Sequence, residues 1–159
     1  MKKFTAFFAG TMFLAVVLSL TAFKPLPPGP SANGQGSLTL GLESRRFAFH
    51  ANTMPDGTVQ GSGVLTYTTG DLKITFDIDC MKVSGQTATM SGTVTRSDGS
   101  LPSVFVPGSK IFFRVIDNGE GANDSPDQMS LLYLTGIGCN SLFNPPVSPI
   151  EGGNIQVKP

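Results

Sequence analysis

The sequence predicts an all-β domain, an antiparallel β-sandwich or small barrel of about 8–10 strands. Three observations predict it. Apolar and polar residues alternate at period two in "DLKITFDIDC" (71–80), "TATMSGTVTR" (87–96) and "KIFFRVID" (110–117), and strict alternation puts one face of a strand in a core and the other in solvent. Turn signals at Pro55-Asp56-Gly57, Thr69-Gly70-Asp71, Ser84-Gly85-Gln86 and Ser97-Asp98-Gly99 separate the runs, each with the residue types that tight turns need. Helix has little room. The longest stretch free of Gly and Pro after the N-terminal region runs over 71–84, and its period is two.

In chain order, "MKKFTAFFAGTMFLAVVLSLTAF" (1–23) has two lysines and then an uncharged apolar run from Phe4 to Phe23. That is the layout of a secretory signal peptide. The run is also long enough for its rival, an uncleaved membrane anchor over residues 4–23, because about 20 apolar residues span a bilayer. Cleavage is expected between Thr21 and Lys24, with the protein secreted or periplasmic. "KPLPPGPSANGQG" (24–36) is rich in Pro and Gly with little to bury, and reads as a spacer. The β-domain is expected over 37–159.

Within it, "SLTLGL" (37–42), "RRFAFHA" (45–51) and "TVQGSGVLTYT" (58–68) are strand candidates. "DLKITFDIDC" places Leu72, Ile74, Phe76, Ile78 and Cys80 inward, opposite Asp71, Lys73, Thr75, Asp77 and Asp79. The Thr-rich "TATMSGTVTR" suits a pleated surface. "KIFFRVID" sets Ile111, Phe113 and Val115 on one side and Phe112 and Ile116 on the other, the pattern of a strand covered on both faces. "MSLLYLT" (129–135) and "NIQV" (154–157) complete the set.

The single histidine and two cysteines bound the chemistry. In an oxidising compartment Cys80 and Cys139 are expected to pair, with two buried free thiols as the alternative. An inward Cys80 suits a bond tying two layers. Two thiolates and a distant His50 lack the close spacing of a zinc site. His50 ends a strand on the face opposite Phe47 and Phe49 and reads as a surface residue. There is no G-x-S-x-G elbow, H-E-x-x-H, Walker loop or G-x-G-x-x-G fingerprint, so no motif supports a catalytic or phosphate-binding role. Asp77 and Asp79 project from one strand face, about 6–7 Å apart. Paired glycosidase carboxylates use similar separations but come from different strands in a cleft, so the two read as an outward polar face.

Without residues 1–24 the chain keeps 8 basic residues against 11 acidic. With no basic patch, nucleic acid is not an expected partner, and a membrane is one only if the leader is retained. The sequence has no Trp, so that stacking residue for sugars is missing.

"DNGEGANDSPDQMS" (117–130) concentrates acidity: Asp117, Glu120, Asp124 and Asp127. These oxygens with Gly119 and Gly121 could wrap a calcium ion. The register is not that of an EF-hand, because Gln128 stands where the bidentate Glu belongs. The competing expectation is a hydrogen-bonded loop between strands, with Asp117 accepting from the Gly119–Gly121 turn and Asp127 anchoring the return.

"CMKVSGQTATMSGTVT" (80–95), "VIDNGEGANDSPDQMSLL" (115–132) and "IEGGNIQV" (150–157) together resemble a group of uncharacterised secreted bacterial β-domains, found alone behind a signal peptide or at the end of larger surface proteins. The resemblance covers most of residues 36 to 158, and "DNGEG" followed by Asp127 and Ser130 is its most specific element. It implies an all-β fold and export, and supplies no catalytic residues.

The expected function is an exported, non-enzymatic binding or structural module, with an extracellular protein, a glycan or a small apolar ligand as partner classes. Two rivals stand beside it. A carrier would enclose an apolar ligand in a β-barrel pocket. An enzyme would use the acidic loop 117–127, converging with His50, Asp77 or Asp79.

Overall fold

The computed structural model describes residues 29–68, 71–99, 104–121 and 123–159. The leader (1–23) and residues 24–28 of the spacer lie outside the described residues. The described chain is all-β. Its ten strands are β1 (Ser31–Leu40), β2 (Glu43–Thr53), β3 (Val59–Tyr67), β4 (Leu72–Ser84), β5 (Thr87–Asp98), β6 (Lys110–Ile116), β7 (Gln128–Ser130), β8 (Tyr133–Leu134), β9 (Val147–Pro149) and β10 (Gly152–Lys158). They form one antiparallel sheet in the order β10-β1-β2-β3-β4-β5-β6-β7-β9, with β8 on β6. No helix among the described residues is long and apolar enough to cross a membrane.

The sheet curls into a half-barrel around its own apolar face. Phe113 of β6 makes edge contacts with Phe49 of β2, at 5.6 Å between centroids, and with Phe76 of β4, at 5.7 Å. Since β2 and β6 are four strands apart in the sheet, only curvature brings those rings together. Ile74, Ile78, Met90, Ile111, Val115 and Ile155 fill the space around them. Burying each large apolar side chain stabilises by roughly 1.5–3 kcal/mol.

Strand β1 begins at Ser31, six residues before the expected domain start at Ser37. "SANGQG" reads as spacer because it lacks apolar mass, yet its glycines are what the strand needs. Gly34 pairs with Phe49 and Gly36 with Phe47. A Cβ at Gly34 would lie 3.0 Å from the Phe49 ring, and one at Gly36 3.0 Å from the Phe47 ring. The bare backbone therefore makes room for two rings from the neighbouring strand.

Cys80 departs from its expected place. The β4–β5 register shifts between Ile78 and Cys80, so Asp79 occupies a bulge and the alternation reverses after it. One inserted residue moves every later side chain to the other face. Met81 and Val83 consequently pack on the core, while Cys80 lies opposite Ser91 on the outer face. It bonds there to Cys139, with Cα atoms 5.7 Å apart. The disulfide does not tie two sheet layers. It fastens the segment after β8 across the outside of β4–β6.

That segment explains the two-sided apolar pattern of β6. Phe112 points outward and is nonetheless 0% exposed. Phe143 packs on it at 5.6 Å and on Tyr133 at 5.6 Å, and Arg114 donates to Asn144. The expected strand "MSLLYLT" is split into β7 and β8 by Leu131-Leu132. At its start Ser130, 2% exposed, accepts from Arg114 N at 2.9 Å and donates to Leu131 O. The short β9 lies in a Pro-rich stretch that carries no strand pattern.

Candidate functional site

The acidic loop joins β6 to β7, which pair through Val115–Met129 and Ile116–Gln128. It is a hairpin connection. Asp117 accepts from Gly119 N at 2.9 Å through Oδ1, and Asp127 accepts from Asn118 N at 2.8 Å. Both also reach a distant strand. Asp117 Oδ2 accepts from Val157 N at 2.9 Å and Asp127 Oδ2 from Ile155 N at 2.7 Å.

Those two N–H groups belong to β10, which pairs with β1 on one side only. Its other edge would be a row of unpaired main-chain groups. The carboxylates stand where the carbonyls of another strand would stand, so side chains from the β6–β7 loop close the seam of the curled sheet. Ile150 N donates to the main-chain oxygen of Asp127 at 2.8 Å and extends the β7–β9 ladder toward the start of β10.

The four acidic residues of the calcium expectation therefore have separate tasks. Asp117 and Asp127 hold β10. Asp124 accepts from Gly121 N at 2.6 Å. Glu120 Oε1 accepts from Asn154 Nδ2 at 3.0 Å and from Gln156 Nε2. Bonds from Gln156 and then Asn154 hold the Glu120 carboxyl below the usual carboxylate range, against a small opposing effect of desolvation. This interaction is present above the ordinary carboxylate pKa and fades as pH falls through the lowered one.

Among the described residues no group of three or more His, Cys, Asp or Glu side chains is arranged to hold a metal ion. A calcium ion would have to compete with main-chain donors for these oxygens. Millimolar calcium is expected to leave the melting temperature unchanged. A metal bound well below its working concentration would stabilise by several kcal/mol, so a large chelator-reversible rise would make residues 117–127 a metal site.

The candidate catalytic residues do not meet in a cleft. His50 and Asp77 are both exposed on the outer face. Each pairs across the sheet with Ser62 of the intervening strand. In a catalytic triad the histidine stands between the serine it deprotonates and the carboxylate that orients it, whereas here the serine stands between His50 and Asp77. Asp79 faces Lys110, at 3.6 Å between charged atoms, with both side chains 58% exposed. Such a pair contributes little.

Among the described residues, the interior beside the core is tightly filled at the end where Arg45 sits. Leu38, Arg45, Phe47, Leu65 and Met129 border a gap of about 10 Å³, space for one water at most. Arg45 sits at this end of the interior, with its guanidinium 4.7 Å over the Tyr67 ring and 2.7 Å from Glu43. Burial raises the Tyr67 phenol pKa, with Arg45 opposing.

One feature was not among the sequence candidates. On the outer face of β10–β1–β2, Asn33 lies opposite Gln156 and Gln35 opposite Asn154. These amides and Ala48 line a shallow groove of about 380 Å³. Glycines and amides in "SANGQG" read as spacer, and the groove's only signal in the sequence is the alternation of Asn33 and Gln35 with Gly34 and Gly36.

No family model, curated protein or solved structure matches this chain.

Proposed function

We propose that this chain is an exported, non-enzymatic β-domain that acts outside the cytoplasm as a binding or structural module. The observation that carries the reading is the use of the acidic loop. Its most buried carboxylate, Asp127 at 6% exposure, is engaged by main-chain N–H groups of the loop and of β10, which is the work of a rigid scaffold. The small interior gap beside Phe47 and Leu65 favours this reading over a carrier of apolar ligands, and the exposed His50 and Asp77, with Ser62 rather than a histidine between them, favour it over an enzyme. The Lys-plus-apolar leader supports export, and the Cys80–Cys139 bond is compatible with an extracellular or periplasmic compartment. The resemblance to secreted bacterial β-modules points the same way.

Mass spectrometry of the protein recovered from its native host tests the export. The expected product begins within a few residues of Lys24 and carries both cysteines oxidised. An intact Met1 in the membrane fraction would replace secretion with anchoring by residues 4–23. Intact, reduced protein in the cytoplasm would end the proposal.

A further inference from the structure

We infer that the amide-lined groove on the outer face of β10–β1–β2 binds a neutral, hydroxyl-rich glycan segment. The inference deepens the module reading and rests on it.

The groove is built from two elements far apart in sequence. Asn33 and Gln35 are successive outward residues of β1, so their Cα atoms are about 7 Å apart. Gln156 and Asn154 lie opposite them on β10. The result is a rectangle of four amides, with Ala48 of β2 adding a small side chain beside it. Each amide offers both donors and an acceptor, and a sugar hydroxyl likewise both donates and accepts. A surface of amides therefore suits a polyhydroxyl ligand without bringing net charge.

Glu120 organises one side. Its Oε1 takes one N–H from Asn154 and one from Gln156, which orients both amides before any ligand arrives. Among the described residues its other oxygen, Oε2, has no hydrogen-bond partner, and neither do the side chains of Asn33 and Gln35. A carboxylate oxygen beside oriented amides is a strong acceptor for hydroxyl protons. Prior orientation also lowers the entropy lost on binding.

The same features disfavour a peptide. Peptide affinity depends on a few anchor side chains entering desolvated pockets, whereas the groove is open and shallow and the small Ala48 flanks it on β2. An anionic ligand would be repelled by Glu120. A glycan can bind here through hydrogen bonds alone, and weakly, because Phe49, the aromatic residue bordering the groove, is 5% exposed and offers no open platform.

The test is an NMR titration of the exported protein with cellohexaose, maltohexaose, a chito-oligosaccharide and a mannotriose, beside a Gly-Ser peptide as control. At least one oligosaccharide should shift the side-chain amide signals of Asn33, Gln35, Asn154 and Gln156, with saturation in the millimolar range or below. The double variant Asn33→Ala, Gln35→Ala should weaken that binding roughly tenfold or more, with the melting temperature kept. Ala48→Glu, which places a charged chain in the groove, should weaken it as well. The assignment is overturned if no oligosaccharide moves these signals, if both variants bind like the parent, or if only the peptide binds. Failure of that kind leaves the module reading standing. Cleavage of a bound oligosaccharide would instead end the non-enzymatic reading and leave the groove assigned.

Discussion

Asp127→Ala is expected to destabilise the domain by about 3–5 kcal/mol, the largest effect of any substitution in the acidic loop. The carboxylate accepts from Asn118 N and from Ile155 N, and Ile155 is 0% exposed. Hydrogen bonds to charged groups are worth about 1.5–3 kcal/mol each, and a buried donor left unpaired loses its solvation as well. Asp127→Asn separates shape from chemistry. Its carbonyl can serve one of the two donors, but its NH₂ must face the other, so it should recover only part of the loss. Asp117→Ala should cost less, about 1–3 kcal/mol, because Asp117 is only half-buried and half of its bonding is to the nearby Gly119 N. Both aspartates act on one seam, so the double variant should lose less than the sum. Chemical denaturation of the parent and the four variants measures all of this. If Asp127→Ala unfolds at the parent's midpoint, the carboxylates do not hold β10.

This seam separates what the sequence makes legible from what it hides. Asp117 and Asp127 are readable as acceptors for their own loop, because Asp beside Gly commonly satisfies local N–H groups. Their bonds to Ile155 and Val157 are not readable, because they depend on how far the sheet curls. Strand faces are legible wherever alternation is unbroken, as in β6, where Phe112 signals a cover on the outer side. They become illegible at Asp79. A bulge leaves no mark in composition, and everything beyond it, Cys80 included, moves to the opposite face. Strand β1 is hidden for a different reason. Its glycines serve rings that the neighbouring strand contributes, and its amides become a groove only when β10 pairs beside them. Each hidden feature is a relation between strands, whereas the period-two signal belongs to one strand at a time.

The second large effect is expected at the disulfide. Cys80→Ser and Cys139→Ser should each lower the melting temperature under oxidising conditions, by similar amounts. The bond links residues 59 apart, and removing it frees the unfolded chain by an amount worth roughly 4 kcal/mol in the chain-entropy model. The folded state contributes a local term. Cys139 anchors the segment that brings Phe143 over Phe112, and Phe112 is otherwise an outward aromatic on β6. Once the anchor is cut, hydrogen exchange should quicken first in residues 133–146 and in β6 beside Phe112, and last in β2 and β3, which touch the core alone. Reductant should destabilise the parent and leave both single variants where they are. Two thiols titrated per chain in denatured, unreduced protein would remove the bond altogether. Uniform loss of protection across all strands would mean that the bond acts on the unfolded chain only, with the outer segment held by packing of Phe143 and the Arg114–Asn144 contact.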